Sequence, residues 1–281
     1  MELFDNHAHY NDEKFDDDRD EIIKKIYDSG VTKLISAGYS LASSIQGVEI
    51  SKKYDFIYTI AGISPNDIPG CIQDEDLENK TEEEIEKLFT ESKLIVDKQL
   101  LEIENIAISN EKVVAIGEIG LDYHWNKLNK SLQKYVFTKQ IELANKLNLP
   151  IVIHTREAVM DTLDILKNVC PTVKPGVFHC CPLNVELVKE ALKLGFYISF
   201  AGPVTFKNSK NAKEVVDMVP FDKMLIETDS PYLAPEPVRG TRNDSRNVKF
   251  VAEKLAEFKG VSVDDIAKCT YENALRVFDI K

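Results

Sequence analysis

The sequence is short of sulfur pairs, of basic charge and of long apolar runs. Its five cysteines, Cys71, Cys170, Cys180, Cys181 and Cys269, are odd in number and irregularly spaced. No C-x-x-C pair occurs, which excludes a zinc ribbon. The pattern reads as reduced thiols in a cytoplasmic protein, not as a disulfide framework. Lysine and arginine total 35 against 47 acidic residues, a net charge of −12. That excludes a protein that coats nucleic acid by its overall charge. A phosphate-bearing substrate would need local positive charge, from metal ions or an arginine loop. No run approaches the roughly 20 apolar residues that cross a bilayer, so no membrane role is expected. The start, Met1 to His7, lacks the basic stretch of a signal peptide. There is no internal repeat, low-complexity tract or Gly/Ser linker. The 281 residues, 43% of them hydrophobic, therefore read as one domain, 1–281. Nothing points to an obligate protein partner, and a monomer is expected.

Eight short apolar runs are present, each followed by an amphipathic stretch. They are Leu3–His9, Lys33–Gly38, Phe56–Ile63, Val113–Glu118, Pro150–His154, Gly176–His179, Phe196–Phe200 and Lys223–Asp229. Near-continuous apolar strands mark a parallel sheet buried on both faces. Helical patterns lie between them, among them Ser131–Asn148, Glu157–Val169 and Val185–Leu194 before Gly195. Asp16, Asp17 and Asp18 read as the acidic first turn of the first helix. The alternation predicts an α/β protein, a single (β/α)8 barrel of the TIM type. One crossover is long: residues 66–112 form a helical insertion, with a helix start at Thr81-Glu82-Glu83-Glu84. It is either a crossover helix with extra turns or a lid beside the barrel mouth.

Polar residues gather at the carboxyl ends of these strands, where such barrels carry their chemistry. Asp5, His7 and His9 alternate at the end of the first, and period two puts them on one inward face. Glu118, His154, His179 and Asp229 end the fourth, fifth, sixth and eighth. A barrel core does not bury this many polar groups unless something binds them. Imidazole and carboxylate together suit divalent metals. His7, His9, Glu118, His154, His179 and Asp229 are too many for one tetrahedral site with an open position. They suit two ions sharing a carboxylate. Magnesium, manganese and zinc are all compatible. Glu227 shares a face with Asp229 one layer deeper and is expected to hold a ligand or substrate.

These residues resemble the TatD family of metal-dependent hydrolases, within the amidohydrolase-like barrels. The resemblance covers nearly the whole chain. It rests on Asp5-Asn6-His7-Ala8-His9, Ile116-Gly117-Glu118-Ile119-Gly120-Leu121-Asp122-Tyr123, Pro150 to Ala158, Phe178-His179-Cys180, Glu227 to Leu233, and Arg239-Gly240. It implies a two-metal (β/α)8 hydrolase. His7 and His9 would hold one metal and His154 and His179 the other. Glu118 would bridge both, and Asp229 would bind the first metal and move a proton. The implied activity is deoxyribonuclease, commonly 3′-to-5′ exonuclease, with DNA as partner. Deacylation, for example of D-aminoacyl-tRNA, is the alternative on the same site. No lysine stands at the position of Glu118, which separates the chain from phosphotriesterase-like barrels.

The chain departs from the family pattern in places. Gly62-Ile63-Ser64-Pro65 has Ser64 where the family usually carries a histidine near the substrate. His124, after the fourth strand, is a candidate replacement, with a surface histidine as the plain reading. Cys180-Cys181-Pro182 replaces a cysteine, aromatic and serine, and Ser245 stands where a proline is usual, although Asn243 is kept. Cys181 is a candidate thiolate ligand or an apolar filler. Arg156 either forks onto a phosphate or pairs with a carboxylate such as Asp122. Arg239, Arg242 and Arg246 either steer a phosphodiester inward or pair with neighbours such as Glu236 and Asp244. Lys207, Lys210 and Lys213 read as a helix surface.

Overall fold

The structure, a computed structural model, describes residues 1–69 and 74–281; Cys71 and part of the long crossover lie outside the described residues. Eight parallel strands pair in chain order: β1 (Leu3–Ala8), β2 (Val31–Ala37), β3 (Ile57–Ala61), β4 (Val113–Asp122), β5 (Ile151–Arg156), β6 (Val177–Phe178), β7 (Tyr197–Phe200) and β8 (Met224–Ile226). The two edges meet just beyond the strands. Asp229 N–H donates to the His7 carbonyl (2.9 Å) and His9 N–H to the Ser230 carbonyl (2.6 Å). Asn6 Nδ2 reaches across to the Ile226 carbonyl and to Ser199 Oγ (2.5 and 2.8 Å). The result is a nearly closed (β/α)8 barrel, as the alternating pattern predicted.

Strand side chains alternate between two apolar clusters, as period two demands. Phe4, Ile35, Ile60, Ala115, Val152, Val177 and Leu225 come from seven different strands and pack together, with Val277, Phe278 and Ile280 from the end of the chain. Only a barrel interior lets seven strands converge in this way. Their neighbours Leu34, Ile57, Ile116, Ile153, Phe178 and Ile198 face outward, into the cluster shared with the helices.

The helices are α1 (Arg19–Asp28), α2 (Leu41–Lys53), α3 (Asp74–Leu77), α4 (Glu82–Ser109), α5 (Lys130–Leu147), α6 (Val159–Asp164), α7 (Val185–Lys193), α8 (Ala212–Met218), α9 (Val248–Lys259) and α10 (Val263–Val277). Several ends are set by side chains. Capping boxes at Ser40, Thr81 and Ser262 start α2, α4 and α10. Left-handed Asn148 and Gly260 stop α5 and α9. Long α4 packs on α2 and α5 and against β3 and β4, so it is the crossover helix and lies on the barrel wall. It does not cover the mouth. Short α3 instead ties to the loop after β4, because Asp74 accepts from the Lys127 and Leu128 backbone (2.8 and 2.7 Å).

Four local expectations need correction. β4 continues four residues past Glu118, to Asp122. β8 stops at Ile226, so Glu227, Thr228 and Asp229 form the turn beyond it. The helix expected from Glu157 starts only at Val159, since Glu157 is left-handed (φ 55°), and it ends in a π-helical turn at Ile165–Val169. Asp16 to Asp18 precede α1, whose first-turn acids are Asp20 and Glu21. Among the described residues no helix is long and apolar enough to cross a membrane.

Candidate metal centre

Glu118 sits at the middle of four histidines, and its two carboxylate oxygens face different pairs. Oε2 lies 3.3 Å from His7 Nε2 and 3.7 Å from His9 Nε2. Oε1 lies 3.0 Å from His154 Nδ1 and 3.2 Å from His179 Nε2. Asp229 closes the first side, with Oδ1 3.1 Å from His9 Nε2 and 3.9 Å from His7 Nε2. Donor atoms converge within 4.8 Å in three sets: His7, His9 and Glu118; Glu118, His154 and His179; and His7, His179 and Asp229. The six residues named from the sequence thus meet in one place.

Neighbours set the ring orientations. The carbonyl of Ala37 takes His9 Nδ1 (3.2 Å). Asp122 Oδ2 takes His154 Nε2 (3.0 Å), and Glu227 Oε1 takes His179 Nδ1 (3.2 Å). In each case the opposite nitrogen is left for the centre. Glu227 is fully buried and also accepts the Cys180 N–H (2.6 Å). Asp5 acts further back. Its carboxylate accepts from Thr228 N–H (2.9 Å), Thr228 Oγ1 (2.6 Å) and Ser245 Oγ, so it secures the turn that carries Asp229. Ser245 therefore uses its hydroxyl where the family's proline has none. Asp229 itself (φ 56°), Cys180 (φ 37°) and Leu233 (φ 52°) adopt left-handed backbone at the site, a conformation non-glycine residues hold only where the surroundings impose it.

The electrostatics follow from this crowding. Burial alone would raise the Glu118 carboxyl, but the charge of His179 and the close approach of the His154, His179 and His7 rings hold it well below the usual carboxylate range. Burial opposes the charged form of His154, yet Asp122 and Glu118 push it up to about 9. Asp122 goes down to about 2, since His154 and Asn66 outweigh its desolvation. His7 is pushed down by burial and by His179. Burial pushes Asp5 up to about 7 against its three donors.

Divalent cations fit these donors. His7 is fully buried, and neither ring nitrogen has a hydrogen-bond partner among the described residues. An orphaned polar atom of this kind costs about 1–3 kcal/mol unless something binds it. Imidazole nitrogens and carboxylate oxygens are the donors that zinc, manganese and similar ions take.

A cavity of about 950 Å³ opens over the cluster. Ser64, Arg156 and Cys181 line it; His124 and Arg239 are not in its wall. Ser64 Oγ donates to Asp67 Oδ2 (2.5 Å). His124 Nδ1 pairs with Glu157 (2.7 Å), so it does not stand in for the missing histidine. Arg239 lies over the Phe206 ring (4.1 Å). Arg242 pairs with Asp18 (2.5 Å) and Arg246 with Asp244 (2.8 Å), which ties down the basic loop. Lys213 pairs with Asp217 along α8 (2.7 Å), as a surface helix residue does, but Lys207 and Lys210 lie in the turns before α8 and not on a helix. Cys181 Sγ donates to the Pro182 carbonyl (3.4 Å), it belongs to none of the donor sets, and both adjacent cysteines are free thiols. Asp122 pairs with His154 and not with Arg156.

Sequence reasoning missed Asp122 as a buttress. Its signal was the strand period, for Glu118, Gly120 and Asp122 share one face once β4 is extended. Asn66, which donates to Asp122 Oδ2 (3.2 Å), carried no comparable signal.

Fold and donor set together define a metal-dependent hydrolase on a (β/α)8 barrel. The family model of TatD related DNases matches residues 4–279, and the chain belongs to that family. It is 42% identical to the uncharacterized metal-dependent hydrolase YabD of Bacillus subtilis over 278 residues, 99% of each chain. An uncharacterized metal-dependent hydrolase of Methanocaldococcus jannaschii is 32% identical over 279 residues, 99% of this chain and 97% of that one. Two solved structures share the fold. A TatD homologue from Escherichia coli superposes with a TM-score of 0.81 at 22% identity, covering 99% of this chain and 98% of the other. A TatD family hydrolase from Entamoeba histolytica gives 0.81 at 21%, covering 100% and 99%.

Proposed function

We propose that this hydrolase is a two-metal phosphodiesterase that shortens DNA from a 3′ end. One observation carries the reading: Glu118 offers one oxygen to His7 and His9 and the other to His154 and His179. A carboxylate so placed can serve two cations at once. When bound, the ions supply a nucleophile from water at neutral pH and offset charge on the scissile group's oxygens.

The chain's own residues do the rest. His7, His9 and Asp229 would hold one ion, and His154 and His179 would hold the other. Asp229 lines the cavity and accepts the proton of the attacking water. It returns that proton to the leaving 3′ oxygen as the P–O bond breaks. Asp122 and Glu227 keep the His154 and His179 rings from rotating. The DNA substrate is supported by the family's DNase character and by Arg156 in the cavity wall.

A second reading, carbonyl hydrolysis in a deacylase, is favoured by Asp12 and Asp67 in the same wall, which suit an amine-bearing substrate. End-labelled single-stranded DNA distinguishes the two. The protein is stripped with chelator and reloaded separately with magnesium, manganese and zinc, beside Glu118→Gln purified in the same way. Metal-restored, stepwise shortening by the intact protein alone is the expected result. Intact DNA under every metal, with release of an amino acid from aminoacyl-tRNA, overturns it in favour of the deacylase.

A further inference from the structure

The chain has a single tryptophan, Trp125, in the loop after β4. The indole is 62% exposed. Exposure of one aromatic ring is ordinary and by itself says nothing. Three further observations set Trp125 apart.

It lines the cavity over the metal centre, although it protrudes from the loop. The Arg156 guanidinium lies over its ring, 5.5 Å from the centroid. Arg156 is the only lysine or arginine among the described residues lining that cavity. Last, the loop is tied to the centre. Asp122 Oδ1 accepts the His124 and Trp125 backbone N–H groups (2.9 and 3.2 Å), while Asp122 Oδ2 holds His154 (3.0 Å). One carboxylate thus fixes both a histidine of the centre and the ring beside it.

We propose that Trp125 and Arg156 form a stacking platform that holds one base of the substrate strand next to the scissile phosphodiester. The indole offers a flat apolar face to the base. The guanidinium offers forked donors to the adjoining phosphate, in a cavity whose other charged walls, apart from the histidines of the centre, are acidic. Stacking of this kind accepts any base, so the platform grips a strand without reading its sequence. It needs an unpaired base and therefore favours single-stranded ends. The inference rests on the nuclease reading for its substrate, and it is tested apart from it.

The binding test uses a phosphorothioate-linked oligothymidylate, which resists hydrolysis, and an abasic strand of the same length and linkage. Metal-loaded protein is titrated with each, following tryptophan emission and the anisotropy of a label on the strand. The base-bearing strand is expected to quench the emission and to bind roughly tenfold or more tightly than the abasic one. Trp125→Ala abolishes that preference, and Trp125→Phe retains most of it. Equal affinity for the two strands, or an unchanged preference in Trp125→Ala, overturns the platform.

The hydrolysis test uses the ordinary phosphodiester oligomer. A raised KM with little change in kcat in Trp125→Ala supports the platform. Unchanged KM on a strand that the protein does cut removes the platform and leaves the nuclease reading standing. A strand that binds through its bases and is never cut removes the nuclease reading and leaves the platform standing.

Discussion

His154 and His179 each lean on a carboxylate on the side of the ring away from the centre, whereas His7 and His9 do not. Asp122 and Glu227 stand behind the first two, a backbone carbonyl stands behind His9, and among the described residues no partner stands behind His7. The difference follows from where the residues come from. His7 and His9 are two apart on one extended stretch, so the backbone itself fixes their spacing. His7 is further pinned by stacking on His179, with ring centroids 4.0 Å apart and planes at 16°. His154 and His179 come from different strands, and each ring needs its own partner to stop it turning. The carboxylates also add negative charge behind that pair, which strengthens the donors toward a cation. The two sides of Glu118 are therefore expected to differ in affinity, with the His154 and His179 side the tighter.

The most severe break is at the shared residue. Glu118→Gln removes the charge common to both sides, so turnover should fall on the order of a thousandfold or more, and both cations should bind more weakly. Steady-state rates and metal titration check this. Loss of affinity on one side only would mean that Glu118 is not shared.

Removing one buttress sharpens the comparison. Asp122→Asn or Glu227→Gln should lower affinity on the His154 and His179 side by about 10- to 100-fold. The His7 and His9 side should be nearly unchanged. Stepwise titration calorimetry with manganese separates the two events, and an equal drop in both would erase the asymmetry.

Asp5→Asn acts on the other side at a distance. It forfeits a carboxylate that accepts from Thr228 and Ser245, with an expected cost of about 1–3 kcal/mol in folding stability. A denaturant midpoint measures that loss, and the first cation should weaken as Asp229 loosens. The smallest effect is at Ser64. Ser64→Ala removes one donor to Asp67, worth about 1 kcal/mol, and should leave the number of bound ions unchanged by elemental analysis.

Much of this was legible in the sequence, for physical reasons that also mark its limits. Strands buried on both faces must be apolar, so the runs around Leu34, Ile57, Ile153 and Ile198 announced the barrel. Six polar side chains at strand ends could not be packing residues, and the six converge. Boundaries failed where local backbone overrode pattern. Glu157 and Asp229 turn left-handed, which delays one helix and puts Asp229 beyond its strand. Pairing was illegible because it depends on where side chains turn, not on register alone. Asp122 and Arg156 are opposite each other in register, as one of the two readings of Arg156 requires, yet the Asp122 carboxylate faces His154. Of the arginines after β8, Arg242 and Arg246 pair with Asp18 and Asp244, partners set by folding and not by sequence spacing alone, while Arg239 lies over Phe206.

The central claim is that one carboxylate serves two cations. Manganese loading with elemental analysis and electron paramagnetic resonance tests it most directly. The intact protein should hold two manganese ions per chain with a spin-coupled spectrum, and Glu118→Gln should lose the coupling. A single ion per chain, or two ions without coupling, would contradict the account.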